Sequence, residues 1–585
     1  MKRLVNSVRV AHSPILPQSR PSLNLIAILA TTVACLLLAA CGSGNSGGSG
    51  SSSAASSTGT TAVTGSLVSA PAPGVITAPS PPQAARFLTQ STFGPRLQDI
   101  SALTTSNETD WIAQQQSVAT TSQLAQLQAF PDATSRNNRM TVWWNTVVTA
   151  PDQLRQRMAF ALSEIFVISD QASTLVNNAS ALASYWDLLA NDSFGNFRTL
   201  LEDVTLNPAM GVYLNMRGNE KPNPALNIHA DENYAREVMQ LFTIGLYQLN
   251  PDGTVVTDSA GVPVPSYTQA DVTNLARVFT GWSWNASGFY YATPNYLVPM
   301  IPFEAEHDSD AKTIVGNVSV PAGGTSRADL KIALDTLFNH PNTGPFVSKQ
   351  LIQRFVTSNP SPAYVARVAQ VFANNGQGVR GDLGAVVKAI LLDSEARADM
   401  SAQAASFGKR REPLLTVSHL WRALDGRDST CNRLYWNPEF ALHEAPLSAG
   451  SVFNFYKPGY SPAGLSQRAG NPLVAPEFQL VTASDLTELN NTYVSGILNA
   501  KQTVYTQPTD ILLHPDAFLS LATGTDSGPL IDQLNLVLLS GQMTAAMRQA
   551  IVTDVNQISA SDGGLGRVLE ATYLIFSSPQ YQIQK

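Results

Sequence analysis

Helix start and stop signals recur from about Arg86 to the end of this chain, and they leave little room for any other architecture. In "SPAYVARVAQVFANNG", Ser361 stands at the N-cap, Pro362 at the first helical position and Gly376 beyond the end. "TQADVTNLARVFTGW" opens on Thr268 with Asp271 three residues later, the spacing of a capping box, and stops at Gly281. "SRADLKIALDTLFNHPN" repeats the device with Ser326 and Asp329. Between such signals the apolar residues follow the 3.6-residue period, as Leu154, Met158, Ala161, Leu162, Ile165 and Phe166 do. Further helices are expected at "GDLGAVVKAILLDSEAR", "EPLLTVSHLWRALDG", "DLTELNNTYVSGILNA", "PLIDQLNLVLLSG" and "GLGRVLEATYLIFSSP". Strand signals are sparse: a hairpin at Val255 to Tyr267 and a short strand at Ile314 to Val320. The fold class is therefore mainly α, an irregular multi-helix assembly with a small β-hairpin insertion. Residues 86–585 are numerous enough for a large core and two subdomains.

The stretch before this region reads as an address. Lys2, Arg3, Arg9 and Arg20 form a basic leader without acids, followed by an apolar run from Leu25 to Ala40. That run is too short for a comfortable membrane span. It ends in Leu38-Ala39-Ala40-Cys41-Gly42, which resembles a bacterial lipoprotein signal occupying residues 1–40. The resemblance implies cleavage before Cys41, lipid on Cys41 and anchorage in a membrane. Gly42, where an Asp would retain the protein at the inner membrane, favours the outer membrane. From Cys41 to Ala85 no residue is charged, and Gly, Ser, Ala, Thr and Pro dominate. Such a segment buries too little apolar surface to offset its ordering entropy, so it is expected to be a flexible tether. Its reach would be roughly 35 Å. Taking the four leader cations from the net charge of −7 leaves −11, which argues against general nucleic-acid binding. With Cys35 in the leader and Cys41 lipidated, Cys431 has no disulfide partner.

Three stretches could carry chemistry. In "HADENYAREVMQLFTIG", Asp231 can cap a helix that starts at Glu232 and ends at Gly245. Glu232 and Arg236 pair at helical spacing, as Asn233 and Glu237 can. His229, Asn233, Arg236 and Glu237 together exceed what a cap requires. Glu232, Arg236 and Glu237 are thus candidate catalytic residues, and Asn233 is a candidate binding residue. In "FEAEHDSDAKTIVG", four acids surround His307. This makes His307 and Asp308 candidate ligands for a divalent metal and Lys312 a candidate binding residue. The spacing fits neither the two-histidine zinc helix nor the twelve-residue calcium loop, so a solvated acidic loop competes with the metal. In "VFNFYKPGYSP", Phe453, Phe455, Tyr456 and Tyr460 with Lys457 could stack on carbohydrate or grip a peptide, or simply pack under their own domain. Arg198, Glu202 and Asp203 fit structural ion pairs. There is no nucleophile elbow, phosphate-binding glycine loop or dinucleotide fingerprint.

Taken together, "AARFLTQSTFGP", "RMAFALSEIF", "FGNFRTLLEDVTLNPAM", "DENYAREVMQLFTIG", "ARVFTGW", "HDSDAKTIVG", "HPNTGPFVSKQLIQRFV" and "YLIFSSPQYQIQ" resemble a bacterial family, domain of unknown function 1800. Glu232, Asn233, Arg236 and Glu237 fall on its central motif, and His307, Asp308 and Lys312 on its His-Asp…Lys motif. The chain departs from it at Asn207, where members often carry His, and at Asp231, where they often carry Asn. The first departure weakens a metal reading built on histidines. The resemblance implies an exported protein that shares a task at the cell envelope with an exported partner of the family numbered 1501. Two expectations follow. The first is an anchored envelope lipoprotein with a binding or scaffold role. The alternative is an envelope hydrolase using a polar Glu/Arg/His/Asp cleft, with or without a metal.

Overall fold

The computed structural model describes residues 78–399, 405–435, 437–465, 473–481 and 507–585. The leader, Cys41, most of the expected tether and the helix expected at "DLTELNNTYVSGILNA" lie outside these residues. The described residues fall within one unit, Pro73–Lys585. Helices supply most of their regular structure, and the strands make three two-stranded antiparallel sheets. The mainly α expectation holds. None of the described helices is long and apolar enough to cross a membrane.

Local signals account for most helix boundaries. The first described helix, Pro81–Ser91, begins inside the stretch read as tether. Ser80 and Gln83 form its capping box, and Pro81 opens it. Thr268 and Asp271 make the expected box on helix Gln269–Val278. Ser361 caps Pro362–Ala373 by accepting from the Tyr364 amide. One cap is displaced: Thr325 accepts from the Ala328 amide, which makes Ser326 the first residue inside helix Ser326–Asn339. Both neighbours carry a hydroxyl, and the sequence alone does not choose between them.

The central helix departs from regular geometry. Asn233–Glu237 is α-helical, but Val238–Thr243 is a π-helix. The Ile244 amide donates to the Met239 carbonyl five residues back, and the Thr243 hydroxyl does the same to Val238. Such wide turns cluster at functional positions. The turn ends at Gly245, φ +70°, where a Cβ would lie 2.8 Å from the Phe346 ring.

The small β insertion expected near Val255 to Tyr267 is present as a loose hairpin. Residues Tyr247 to Pro265 pair through bridges at Tyr247–Pro265, Leu249–Val255 and Thr257–Pro263, with main-chain bonds such as Val264 N–H to the Val256 carbonyl at 3.0 Å and Asp258 N–H to the Val262 carbonyl at 2.9 Å. The region read as one short strand is a hairpin instead, Lys312–Ile314 against Val318–Val320. Sequence gave no sign of a third sheet. It pairs Lys409–Arg410 with Ile583–Gln584, so the C-terminus fastens a segment far upstream.

Most buried apolar residues from Ala84 to Tyr581 form one hydrophobic cluster, and Leu127, Val142, Ala179 and Ala183 form a small second one. Within the large cluster Trp143 meets Trp144 edge-on at 4.9 Å between ring centroids, and Trp144 meets Trp421 at 4.8 Å. These rings seat helix Arg136–Thr149 against the last turn of helix Pro413–Ala423, whose first turn carries the site below.

Candidate functional site

The two charged motifs meet along a single helix, Gln269–Val278. Glu232 accepts from the Gln269 amide at 3.0 and 2.8 Å and from the Thr273 hydroxyl at 2.7 Å, and it pairs with Arg236 at 3.1 Å. Burial would raise the Glu232 pKa, but Thr273, Gln269 and Arg236 together hold it below the usual range. One turn further on, Arg277 grips both oxygens of Asp308 at 2.6 and 3.1 Å. Burial opposes ionisation of Asp308, and the Arg277 bonds outweigh it, so its pKa is lowered. Asn219 ties the arrangement together. Its side chain accepts from the Asp231 amide at 2.8 Å and donates to the Ala276 carbonyl at 3.4 Å.

The His-Asp…Lys motif is an internal network, not a solvated loop. His307, Asp308 and Lys312 are all buried. His307 places Nδ1 3.0 Å from the Thr280 carbonyl and Nε2 3.2 Å from Asp329. Lys312 Nζ donates to the carbonyls of Asp308 and Asp310 and to Asp329 at 2.9 Å. Every ring nitrogen of His307 and both oxygens of Asp308 therefore have protein partners. Gly281, φ +84°, lets the chain pass close by, since a Cβ there would lie 3.0 Å from the His307 amide. Asn207 and Asp231, the two family departures, serve local geometry: each accepts from a main-chain amide two residues on, Ala209 and Asn233 respectively.

Glu237 stands apart from these ties. It lies on the buried side of the helix, and its Oε2 has no hydrogen-bond partner. Burial raises its pKa, with Arg236 opposing. Asn233 makes no hydrogen bond to it. His229 is exposed and borders a separate polar cleft of about 330 Å³ with Asn215, Arg217, Glu220 and Asp231. Arg198 pairs with Glu202 and Asp335, each at 2.7 Å. Asp203 instead faces Asp192, whose pKa is pushed up to about 7 by burial and by that neighbour.

A second polar centre lies at the foot of a groove of about 600 Å³. Its walls are largely apolar and include Leu241, Tyr247, Phe346, Val452, Phe453 and Tyr456. Gln240 and Leu241 come from the π-helix, so the central motif shapes this wall. The aromatic loop singled out in the sequence supplies the opposite one. Phe453 is partly exposed, with Lys457 Nζ 5.0 Å from its ring centroid, while Tyr456 is buried. Phe455 lies in a smaller cavity beside Asn454 and Glu164, and the Tyr460 amide closes the turn by donating to the Lys457 carbonyl. On the helix wall, Gln350 is buried and its Nε2 has no partner.

At the foot of the groove, Glu164 accepts from the Tyr456 hydroxyl at 3.0 Å and from Asn454 at 3.1 Å. Behind it lie Glu412 and Glu444, both fully buried. Glu412 precedes helix Pro413–Ala423 at the N-cap position without a side-chain cap bond, and Glu444 accepts the Leu414 amide in its first turn at 3.0 Å. The positive end of a helix favours carboxylates there. Lys409, held by the C-terminal strand, bonds Glu412 at 2.8 Å and pairs with Glu477 at 3.1 Å. Burial first, and then the Glu412 charge, push Glu164 up to about 8. The same two causes raise Glu444 well above the carboxylate range. Burial also works against Glu412, but Lys409 and Arg157 outweigh it and hold its pKa down. The sequence reading missed this centre. Its only local trace was a lone acid, Glu164, inside the apolar stretch "RMAFALSEIF".

Fold and site together define a helical protein with a buried carboxylate network opening on an apolar groove. The chain belongs to the family described as protein of unknown function (DUF1800), which matches residues 86–583. No curated protein and no solved structure matches it.

Proposed function

We propose that this chain is a lipid-anchored protein of the bacterial cell envelope whose helical domain binds a peptide segment of an exported partner. The observation that carries the binding role is the groove. Its walls are mostly apolar, yet Gln350 Nε2 is buried there without an acceptor. Buried donors are rarely left unpaired, and a ligand carbonyl would satisfy this one. Gln240 and Gln353 also line the groove and can bond a peptide backbone, while its apolar walls take side chains. The address rests on the leader, the Leu38-to-Gly42 signal and the uncharged stretch after Cys41. These favour the outer membrane, with the partner drawn from the exported family numbered 1501. The hydrolase alternative keeps Glu237 as its candidate, since that carboxyl has an unpaired oxygen.

Two measurements test this reading. Cys41→Ser should block lipid transfer and processing and move the protein out of the detergent phase; normal processing would remove the anchor. Binding of a purified 1501-family partner should fall at least about tenfold in Phe453→Asp and Leu241→Asp proteins, the loss expected when a buried apolar anchor is removed. Full-strength binding by both variants, or none by the wild type, would overturn the groove as the partner site.

A further inference from the structure

We propose that Glu164, Glu412 and Glu444 form a binding site for one hard divalent cation of the magnesium, manganese or calcium class. One ligand atom from each lies within 4.8 Å of the others, a group found nowhere else among the described residues. Ligands around a calcium ion sit 2.3–2.6 Å from it, so opposite oxygens stand about 5 Å apart, and those around magnesium or manganese stand closer. The spread therefore suits one shared ion. An all-carboxylate set, with neither His nor Cys, selects this class of metal over zinc or copper.

Proximity of acids alone would say little. A second observation is the state of their oxygens. Glu164 Oε2, Glu412 Oε2 and Glu444 Oε1 are buried and have no hydrogen-bond donor. The other oxygen of each is engaged: Glu164 Oε1 by Tyr456 and Asn454, Glu412 Oε1 by Lys409, Glu444 Oε2 by Leu414. Each carboxylate is thus anchored by hydrogen bonds on one side and has none on the other, where Glu164 keeps only its ion pair with Arg354 at 3.4 Å. An unpartnered buried oxygen is costly and rare, and three of them on neighbouring carboxylates call for a cation.

The neighbouring cations do not fill the gap. Lys409 lies on the side of Glu412 and Glu477, and Arg354 Nε stands 3.4 Å from Glu164 Oε2 without a hydrogen bond. Arg157 gives Nη2 to the Arg354 carbonyl at 2.6 Å, and its Nε and Nη1 make no hydrogen bond to these oxygens. Glu164 borders the groove, which gives the ion a way in.

The test uses the full chain purified in detergent, stripped with EDTA and titrated with Mn²⁺, whose free ion gives a sharp paramagnetic resonance that is lost on binding. One Mn²⁺ per chain is expected, displaced by Ca²⁺ or Mg²⁺. Glu444→Gln should weaken binding at least about tenfold, and the surface control Asp532→Asn should not. A wild-type chain that binds no Mn²⁺ overturns the site, as does a folded Glu444→Gln chain that binds like wild type. If Glu444→Gln fails to fold, Glu164→Gln serves the same comparison with the same two outcomes. Neither result bears on partner binding, which is read separately from the Phe453 and Leu241 variants.

Discussion

Tyr456 donates its hydroxyl to Glu164 at 3.0 Å across 292 residues of chain. This bond closes the foot of the groove, because Tyr456 belongs to the aromatic loop on one wall and Glu164 ends the helix Gln153–Ser163 behind it. Replacing Tyr456 with Phe keeps the ring and removes the bond. Since Asn454 still serves the same oxygen, the loss should be about 1 kcal/mol of stability, read by denaturant titration. A loss well above the range for one hydrogen bond would mean that the hydroxyl orders the whole loop.

Glu237→Gln separates the two readings of the central helix. The Glu237 pKa is raised in the fold, so its favourable state is the neutral one. The stability it gives is complete below the unfolded pKa, near 4.3, and is lost as pH rises through the folded value. Gln imitates the neutral acid at every pH. The variant should therefore melt at or above the wild-type temperature at pH 8, with the difference shrinking towards pH 4. If it also loses a cellular function while staying folded, Glu237 belongs to a site. An unfolded variant would contradict this account.

Lys312 is fully buried and holds two carbonyls and Asp329. Lys312→Met should leave Asp329 as an uncompensated buried charge and cost about 3–5 kcal/mol. Circular dichroism during urea titration gives the number. A stable Lys312→Met protein would return this lysine to the list of ligand-binding candidates.

Buried His419 offers a pH test. Its Nε2 stands 2.9 Å from the Val537 carbonyl and its Nδ1 3.0 Å from Arg411, so Nε2 donates and Nδ1 accepts from the guanidinium. Burial first, and then Arg411, hold its pKa well below the usual value. A histidine depressed in this way stabilises the fold above its unfolded pKa of about 6.5, and that contribution is lost as pH falls. Melting temperature should decline below pH 6.5. His419→Gln, which cannot titrate, should start lower at pH 8 but fall less steeply between pH 7 and pH 5. Parallel slopes would exclude His419 as a source of acid sensitivity.

The helical class was legible because caps, apolar period and terminal glycines act within a few residues. Thr268 with Asp271, and Ser361 with Pro362, place their helices without reference to the rest of the chain. The family motifs were legible for the same reason. Chemistry was less so. His307, Asp308 and Lys312 look like a polar loop in one dimension, and only packing against Thr280, Arg277 and Asp329 buries them. The π-turn after Glu237 was hidden because the residue pattern of a wide turn matches that of an α-helix. Tertiary structure alone decided the carboxylate centre. Glu164, Glu412, Glu444 and Glu477 are ordinary single acids in sequence. They meet because tryptophan packing, a C-terminal strand and the aromatic loop bring distant segments to one point. Burial at that point, which no local pattern encodes, sets the protonation of these acids and hence what they can bind.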